Sequence, residues 1–182
     1  MQFERTGLEG LVLVMPRAHG DARGFFMETW RRDLMEKAGL KAEFVQDNQA
    51  RSEQAGVLRG LHFQKPDQTQ AKYIGAIRGA IFDVAVDLRA GSKTFGQWHS
   101  FILSEENKHR LFVPRGFAHG YLTLEPGSEV LYKADAPYAP DLEGGIIWND
   151  PDLGINWPIA APQLSEKDKT LPRLRDLLSP FP

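Results

Sequence analysis

The chain has 182 residues, 42% apolar and 25% charged, with 22 Lys and Arg against 24 Asp and Glu for a formal charge of −2. These values fit one globular domain with a proper core and exclude both wholesale disorder and the basic field that nucleic acid would need. There is no cysteine, which removes disulfide frameworks, zinc fingers and thiol catalysis. No apolar run reaches membrane-spanning length, and the start lacks the basic and apolar segments of a secretory signal, so a soluble cytoplasmic protein is expected.

In chain order, Leu11-Val12-Leu13-Val14 before Pro16 reads as a strand. Asp21-Ala22-Arg23-Gly24-Phe25-Phe26 reads as a turn carrying an arginine and aromatics, with Glu28 just beyond. Trp30, Leu34 and Ala38 keep a helical spacing, and Gly39 is a natural stop. Phe44-Val45-Gln46-Asp47-Asn48 presents amides that suit the edge of a nucleobase. Arg59-Gly60-Leu61-His62-Phe63-Gln64 and then Gln70-Ala71-Lys72-Tyr73 follow. If His62 and Lys72 stand on adjacent strands of a hairpin, they converge on one cavity.

From Ile81, the residues Phe82, Val84, Val86 and Leu88 alternate with Asp83, Ala85, Asp87 and Arg89, the pattern of a half-buried strand. Trp98 to Leu103 is another. Gly116 to Leu124 and Glu129 to Ala134 flank Glu125-Pro126-Gly127-Ser128, whose proline and glycine fit a type II turn and predict a hairpin. Pro137 to Gly145 reads as a loop. Ser165, with an acidic residue three positions on, looks like a helix N-cap, and the tail from Pro172 wraps the surface. Short strands with regular turn signals predict one all-β sandwich or barrel over residues 1–182, with few short helices.

His62, Arg59 and Lys72 carry the chemical signal. A histidine exchanges protons near neutral pH, lysine holds negative charge, and arginine grips phosphate with a planar fork. Together they suggest proton transfer on an anionic, phosphorylated substrate. The bland alternatives stay open: His62 as a strand-end polar residue, Tyr132 as a core-edge tyrosine, Asp168 as a helix cap. Tyr132 could otherwise serve as a general acid and Asp168 could orient a histidine. Pro114-Arg115-Gly116-Phe117-Ala118-His119 matches the second half of the cupin pattern. Where the first half needs two histidines and a carboxylate, the chain has only His62-Phe63-Gln64, too few ligands for a transition metal, so no metal is expected.

Several ordered motifs then carry a resemblance. They include Gly20-Asp21-x-Arg23-Gly24-Phe25-Phe26-x-Glu28, Val45-Gln46-Asp47-Asn48 and Val57-Leu58-Arg59-Gly60-Leu61-His62-Phe63-Gln64. Phe82-Asp83-Val84-Ala85-Val86-Asp87, Leu131-Tyr132-Lys133-Ala134, Trp148-Asn149-Asp150 and Leu164-Ser165-x-Lys167-Asp168 continue them. From about Gly20 to Asp168 the chain resembles the dTDP-4-dehydrorhamnose 3,5-epimerase family. That resemblance implies a cupin jelly roll with an N-terminal strand extension and a short C-terminal helical tail. It further implies a homodimer without metal or organic cofactor, acting on a thymidine-diphosphate 4-keto-6-deoxyhexose. By the same resemblance His62 is the base, Asp168 its orienting partner, Lys72 the enolate stabiliser and Tyr132 the acid. Arg23 and Arg59 would contact the diphosphate, Glu28, Gln46 and Asn48 the nucleoside, and Asp47 would be a further substrate-binding residue. His119, Glu143 and Lys167 would line the substrate site, with Tyr138 stacked on thymine. Ala50 and Tyr73 depart from the family's pattern. A relative epimerising one carbon, a non-catalytic sugar-binding cupin and a metal-dependent cupin are the rival readings.

Overall fold

A computed structural model describes residues 1–182, and its strands follow from where apolar side chains must go. One antiparallel sheet runs β1 (Gln2–Arg5), β2 (Val12–Met15), β10 (Arg110–Val113), β7 (Lys72–Arg78), β12 (Ser128–Ala134) and β5 (Gln46–Ser52). The facing sheet runs β13 (Glu143–Gly145), β6 (Leu58–Gln64), β11 (Phe117–Thr123), β8 (Ala80–Asp87) and β9 (Trp98–Ser104). β3 (Ala18–Asp21) and β4 (Gly24–Met27) make a separate exposed hairpin. This is an all-β, cupin-type jelly roll. No helix is long and apolar enough to cross a membrane.

Between the sheets lies a core that includes Leu11, Leu13, Ile74, Ile81, Leu103, Leu111 and Val130. Each fully buried aliphatic side chain there contributes about 1.5–3 kcal/mol. The core fills one end of the sandwich and leaves the other open. The six-stranded sheet is covered outside by Met35 and Leu40, packed on Val12, Val14, Tyr73 and Phe112. Met35 belongs to the one α-helix, α1 (Arg32–Lys37), which ends at Gly39 in a left-handed conformation (φ +82°).

Five expectations are corrected. β8 is buried on both faces: Ile81 and Ala85 enter the inter-sheet core, while Val84, Val86 and Leu88 pack outward under Leu153 and Phe181 of the C-terminal segment. The polar-looking side of the strand faces inward, so alternation there did not mark solvent. β11 and β12 reverse at Pro126-Gly127, where Gly127 has φ +69°, but they pair with different sheets rather than with each other. A tight turn dictates reversal, not pairing, and in a sandwich the corner can cross from one layer to the other. β6 and β7 are likewise in opposite sheets, not one hairpin. The Ser165 segment forms a single 3₁₀ turn, Asp168–Thr170, instead of an α-helix, although Ser165 Oγ does accept the Asp168 amide at 3.1 Å. Within the stretch read as a loop, Pro140–Leu142 forms a 3₁₀ turn and Glu143–Gly145 adds an edge strand.

Candidate active site

The open end of the sandwich holds a cavity of about 620 Å³ whose walls come from both sheets. On the five-stranded wall, β6 and β11 set His62 opposite His119 and Arg59 opposite Tyr121. His62 and Arg59 are three residues apart, a spacing that ordinary alternation sends to opposite faces. A bulge between the two pairs absorbs the extra residue and turns both side chains inward. Gly60 makes this possible: its φ is +129°, and a Cβ there would lie 2.6 Å from the Gly120 Cα.

His62 Nε2 lies 2.5 Å from Asp168 Oδ1, and Asp168 is 3% exposed. Burial pushes the Asp168 carboxyl up, but the bond to His62, aided by Ser165 and the Gly60 amide, leaves it below its ordinary value. An ionised carboxylate only accepts hydrogen bonds. The Nε2–H of His62 therefore donates to it, and in the neutral ring Nδ1 keeps the lone pair that can take a proton. A second pair lies alongside, in which His119 Nε2 donates to the Asp83 carboxylate at 2.9 and 3.1 Å, both residues buried.

The six-stranded wall supplies Lys72 from β7 and Tyr132 from β12. Burial drops the Lys72 ammonium to about 8, against the pull of the Asp83 and Glu143 charges. Burial raises the Tyr132 phenol, with Arg59 opposing and Glu143 adding to the rise, so it stays protonated at neutral pH. At the rim, Lys167 Nζ meets Glu143 at 2.5 Å, and Tyr138 donates to the same carboxylate at 2.8 Å. Burial pushes Glu143 up, and those two bonds bring it below its usual range. A side pocket of about 260 Å³ shares Tyr132 with the main cavity and gathers Gln46, Asn48 and Tyr138. There Gln46 bonds Asn48 Oδ1 and the Tyr138 amide, each at 2.9 Å, while Asn48 Nδ2 is buried without a partner.

The structure thus brings together His62, Lys72, Tyr132, Asp168, Arg59, His119 and Lys167, with Glu143, Gln46, Asn48 and Tyr138 at the margin. It does not bring Asp47, Arg23 or Glu28. Asp47 alternates outward on β5 and pairs with Lys133 at 2.8 Å. Arg23 lies on the exposed hairpin paired with Asp21, and Glu28 just past it lies 3.6 Å from Arg31. Asp83, which holds His119 from behind, and Tyr121 on the cavity wall escaped the sequence reading. Asp83 looked like the wet side of its strand, and its signal was an acid embedded among residues apolar on both sides. Tyr121 follows His119 by two residues, which already puts it on the same face. No group of three or more His, Asp or Glu has the geometry to hold a metal ion. Tyr73, a departure from the family's pattern, packs on Trp30 and Phe44 and donates to the Thr29 carbonyl at 2.7 Å, away from the cavity.

The family model described as dTDP-4-dehydrorhamnose 3,5-epimerase matches residues 5–176. A protein of that name from Pseudomonas aeruginosa is 50% identical over 171 residues, covering 93% of each chain. A dTDP-4-dehydrorhamnose 3,5-epimerase from Bacillus anthracis, solved with TDP and PPi bound, is 47% identical. Its TM-score is 0.93, over 95% of this chain and 99% of that one. A Legionella pneumophila dTDP-6-deoxy-D-glucose-3,5-epimerase in complex with dTDP-4-keto-L-rhamnose is 44% identical, with a TM-score of 0.91. The match covers 96% of this chain and 93% of that one.

Proposed function

The chain belongs to the dTDP-4-dehydrorhamnose 3,5-epimerase family, and from that premise we infer how its cavity works. It is a carbohydrate epimerase that inverts carbons 3 and 5 of dTDP-4-keto-6-deoxy-D-glucose to give dTDP-4-keto-L-rhamnose. The observation that carries the mechanism is that an imidazole and a phenol from opposite sheets line one cavity.

Both carbons flank the ketone, so their hydrogens are acidic: the carbanion delocalises onto the carbonyl oxygen as an enolate. Nδ1 of His62 removes the hydrogen, and the Asp168 carboxylate 2.5 Å from Nε2 stabilises the imidazolium that forms. The Lys72 ammonium faces the enolate oxygen in a cavity where charge is poorly screened. Tyr132 returns a proton from the other sheet, hence from the other face of the ring, and opposite-face delivery turns exchange into inversion. Each histidine donates to its own carboxylate, and the proposed chemistry runs on proton transfer alone, calling on no metal or organic cofactor.

Arg59 holds the diphosphate, with His119, Glu143 and Lys167 around the sugar. Gln46 and Asn48 take the nucleobase, where the spare Asn48 Nδ2 is a donor in need of an acceptor, and Tyr138 stacks on it. The enzyme works in the cytoplasm as a homodimer. The exposed hairpin, with Phe25 60% and Phe26 75% exposed, reaches the partner and presents Arg23 and Glu28 to its cavity. Asp47 remains outside this arrangement.

The test is turnover of the 4-keto nucleotide sugar in deuterated water, read by NMR for wild type and His62→Ala. Wild type is expected to place deuterium at both carbons and give the L-sugar, while His62→Ala loses about 10²–10⁴-fold. Inversion at one carbon alone would make the protein a mono-epimerase, and no exchange at all would make it a binding protein.

A further inference from the structure

Four tyrosines occur in the chain. Tyr73 donates to the Thr29 carbonyl at 2.7 Å and Tyr138 to Glu143 at 2.8 Å, while Tyr132 is the proposed acid. Tyr121 has no assigned work. It is 6% exposed and lines the cavity, yet its hydroxyl makes no hydrogen bond with the protein and stays open to the cavity. Buried phenols ordinarily find a partner. An idle one facing a ligand cavity awaits an acceptor that the ligand brings.

Its neighbours identify that acceptor. Across β11 and β6 it stands opposite Arg59, and across β11 and β8 opposite Asp83. Asp83 is committed to His119 through both carboxylate oxygens. Arg59 has no carboxylate partner; its one protein acceptor is the Arg51 carbonyl at 3.4 Å. A guanidinium without an anion and a phenol without an acceptor therefore sit side by side, a donor-rich surface suited to oxyanions. Burial also pushes the Tyr121 phenol up, Arg59 opposing, so the hydroxyl keeps its proton to donate.

The His62–His119 pair, where the sugar ring reacts, is one step along the same strands, roughly 7 Å away. That is about the span from the ketone oxygen of a 4-keto hexose to the oxygens of the phosphoryl group on its anomeric carbon. We propose that Tyr121 is a substrate-contacting residue whose hydroxyl donates, beside Arg59, to the sugar-side phosphoryl group of the nucleotide sugar. The assignment rests on the function proposed above and adds a specificity contact to it.

Tyr121→Phe removes only the oxygen and keeps the ring in the core, so the fold is retained. Calorimetric titration of wild type and variant with thymidine diphosphate and with thymidine tests the contact. The variant is expected to bind thymidine diphosphate about 10-fold more weakly, the loss of a hydrogen bond to a charged acceptor, and thymidine as wild type does. KM for the nucleotide sugar should rise by the same factor. Equal diphosphate affinity in both proteins, equal weakening for both ligands, or a fall in kcat with unchanged affinity each overturns the assignment. A wild type that does not bind thymidine diphosphate defeats the functional reading itself, and the assignment with it.

Discussion

Replacing Lys72 with methionine is expected to stabilise the fold while removing activity. Burial drops the ammonium from its ordinary 10.5 to about 8. That difference, at about 1.36 kcal/mol per unit, sets an upper figure of roughly 3.4 kcal/mol for the cost of keeping the charge in place. The side chain still reaches the water of the open cavity, and screening reduces the figure to about 1–2 kcal/mol. The folded pKa lies below the unfolded one, so between about pH 8 and 10.5 the unfolded chain binds more protons. The penalty is therefore complete below pH 8 and fades as pH rises through that window. Methionine keeps the stem without the charge, and Asp83 and Glu143 retain His119 and Lys167 as partners. In a chain of this size 1 kcal/mol moves Tm by about 2–4 °C, so Lys72→Met should melt about 2–8 °C higher at pH 7. Calorimetry at pH 7 and pH 10 should show that advantage shrinking at the higher pH. Turnover should fall about 10²–10³-fold with the loss of enolate stabilisation. A variant less stable at pH 7, or an advantage independent of pH, refutes the buried-charge argument; preserved turnover refutes the role.

Tyr132→Phe should keep deuterium exchange at the sugar better than it keeps inversion, since only the returning proton is lost; NMR that finds both falling in parallel removes Tyr132 from the acid role. The wild-type rate should decline above about pH 8 as Lys72 loses its proton. Asp83→Asn withdraws a charge that holds that proton on, so the alkaline limb of the kcat profile should move to lower pH. Limbs that superimpose would separate Asp83 from Lys72.

How much of this was legible in the sequence differs from residue to residue. Strand positions were, because the apolar run at Leu11 and the alternation from Ile81 report burial on at least one face. Pairing was not. Pro126-Gly127 specifies a reversal, and nothing in its chemistry says whether the next strand stays in the same layer. The same limit misplaced Lys72, which reaches the His62 cavity from the facing sheet. The Arg59–His62 convergence depends on a bulge that local pattern cannot foretell, although Gly60 at its centre was a trace of it. Asp83 was misjudged for a related reason: the C-terminal segment covers the outer face of β8, so the side that looked wet is the interior. Arg23 and Glu28 are a different case. Their motif could be read, but within a single chain the hairpin that carries them lies away from the cavity.

The layering also explains why the proposed chemistry suits this fold. Inversion needs a base on one face of a ring and an acid on the other, and a single sheet presents all its inward side chains from one side. Two facing sheets, roughly 10 Å apart, leave about one sugar ring's thickness between opposed side chains at an unfilled end. Each wall then carries one proton-handling group and one cation: His62 with Arg59 on the five-stranded sheet, Tyr132 with Lys72 on the six-stranded sheet. Asp168 and Asp83 stand behind the two histidines of the first wall, whereas on the second the cavity's one acid, Glu53 just past β5, is tied to Arg51 at 2.8 Å. In the proposed reaction, negative charge developing on the substrate is met by Lys72 of the six-stranded wall, while the positive charge appearing on His62 is met by Asp168. On that reading the Asp168 bond to Nε2 leaves Nδ1 as the basic nitrogen, and the six-stranded sheet supplies the returning proton.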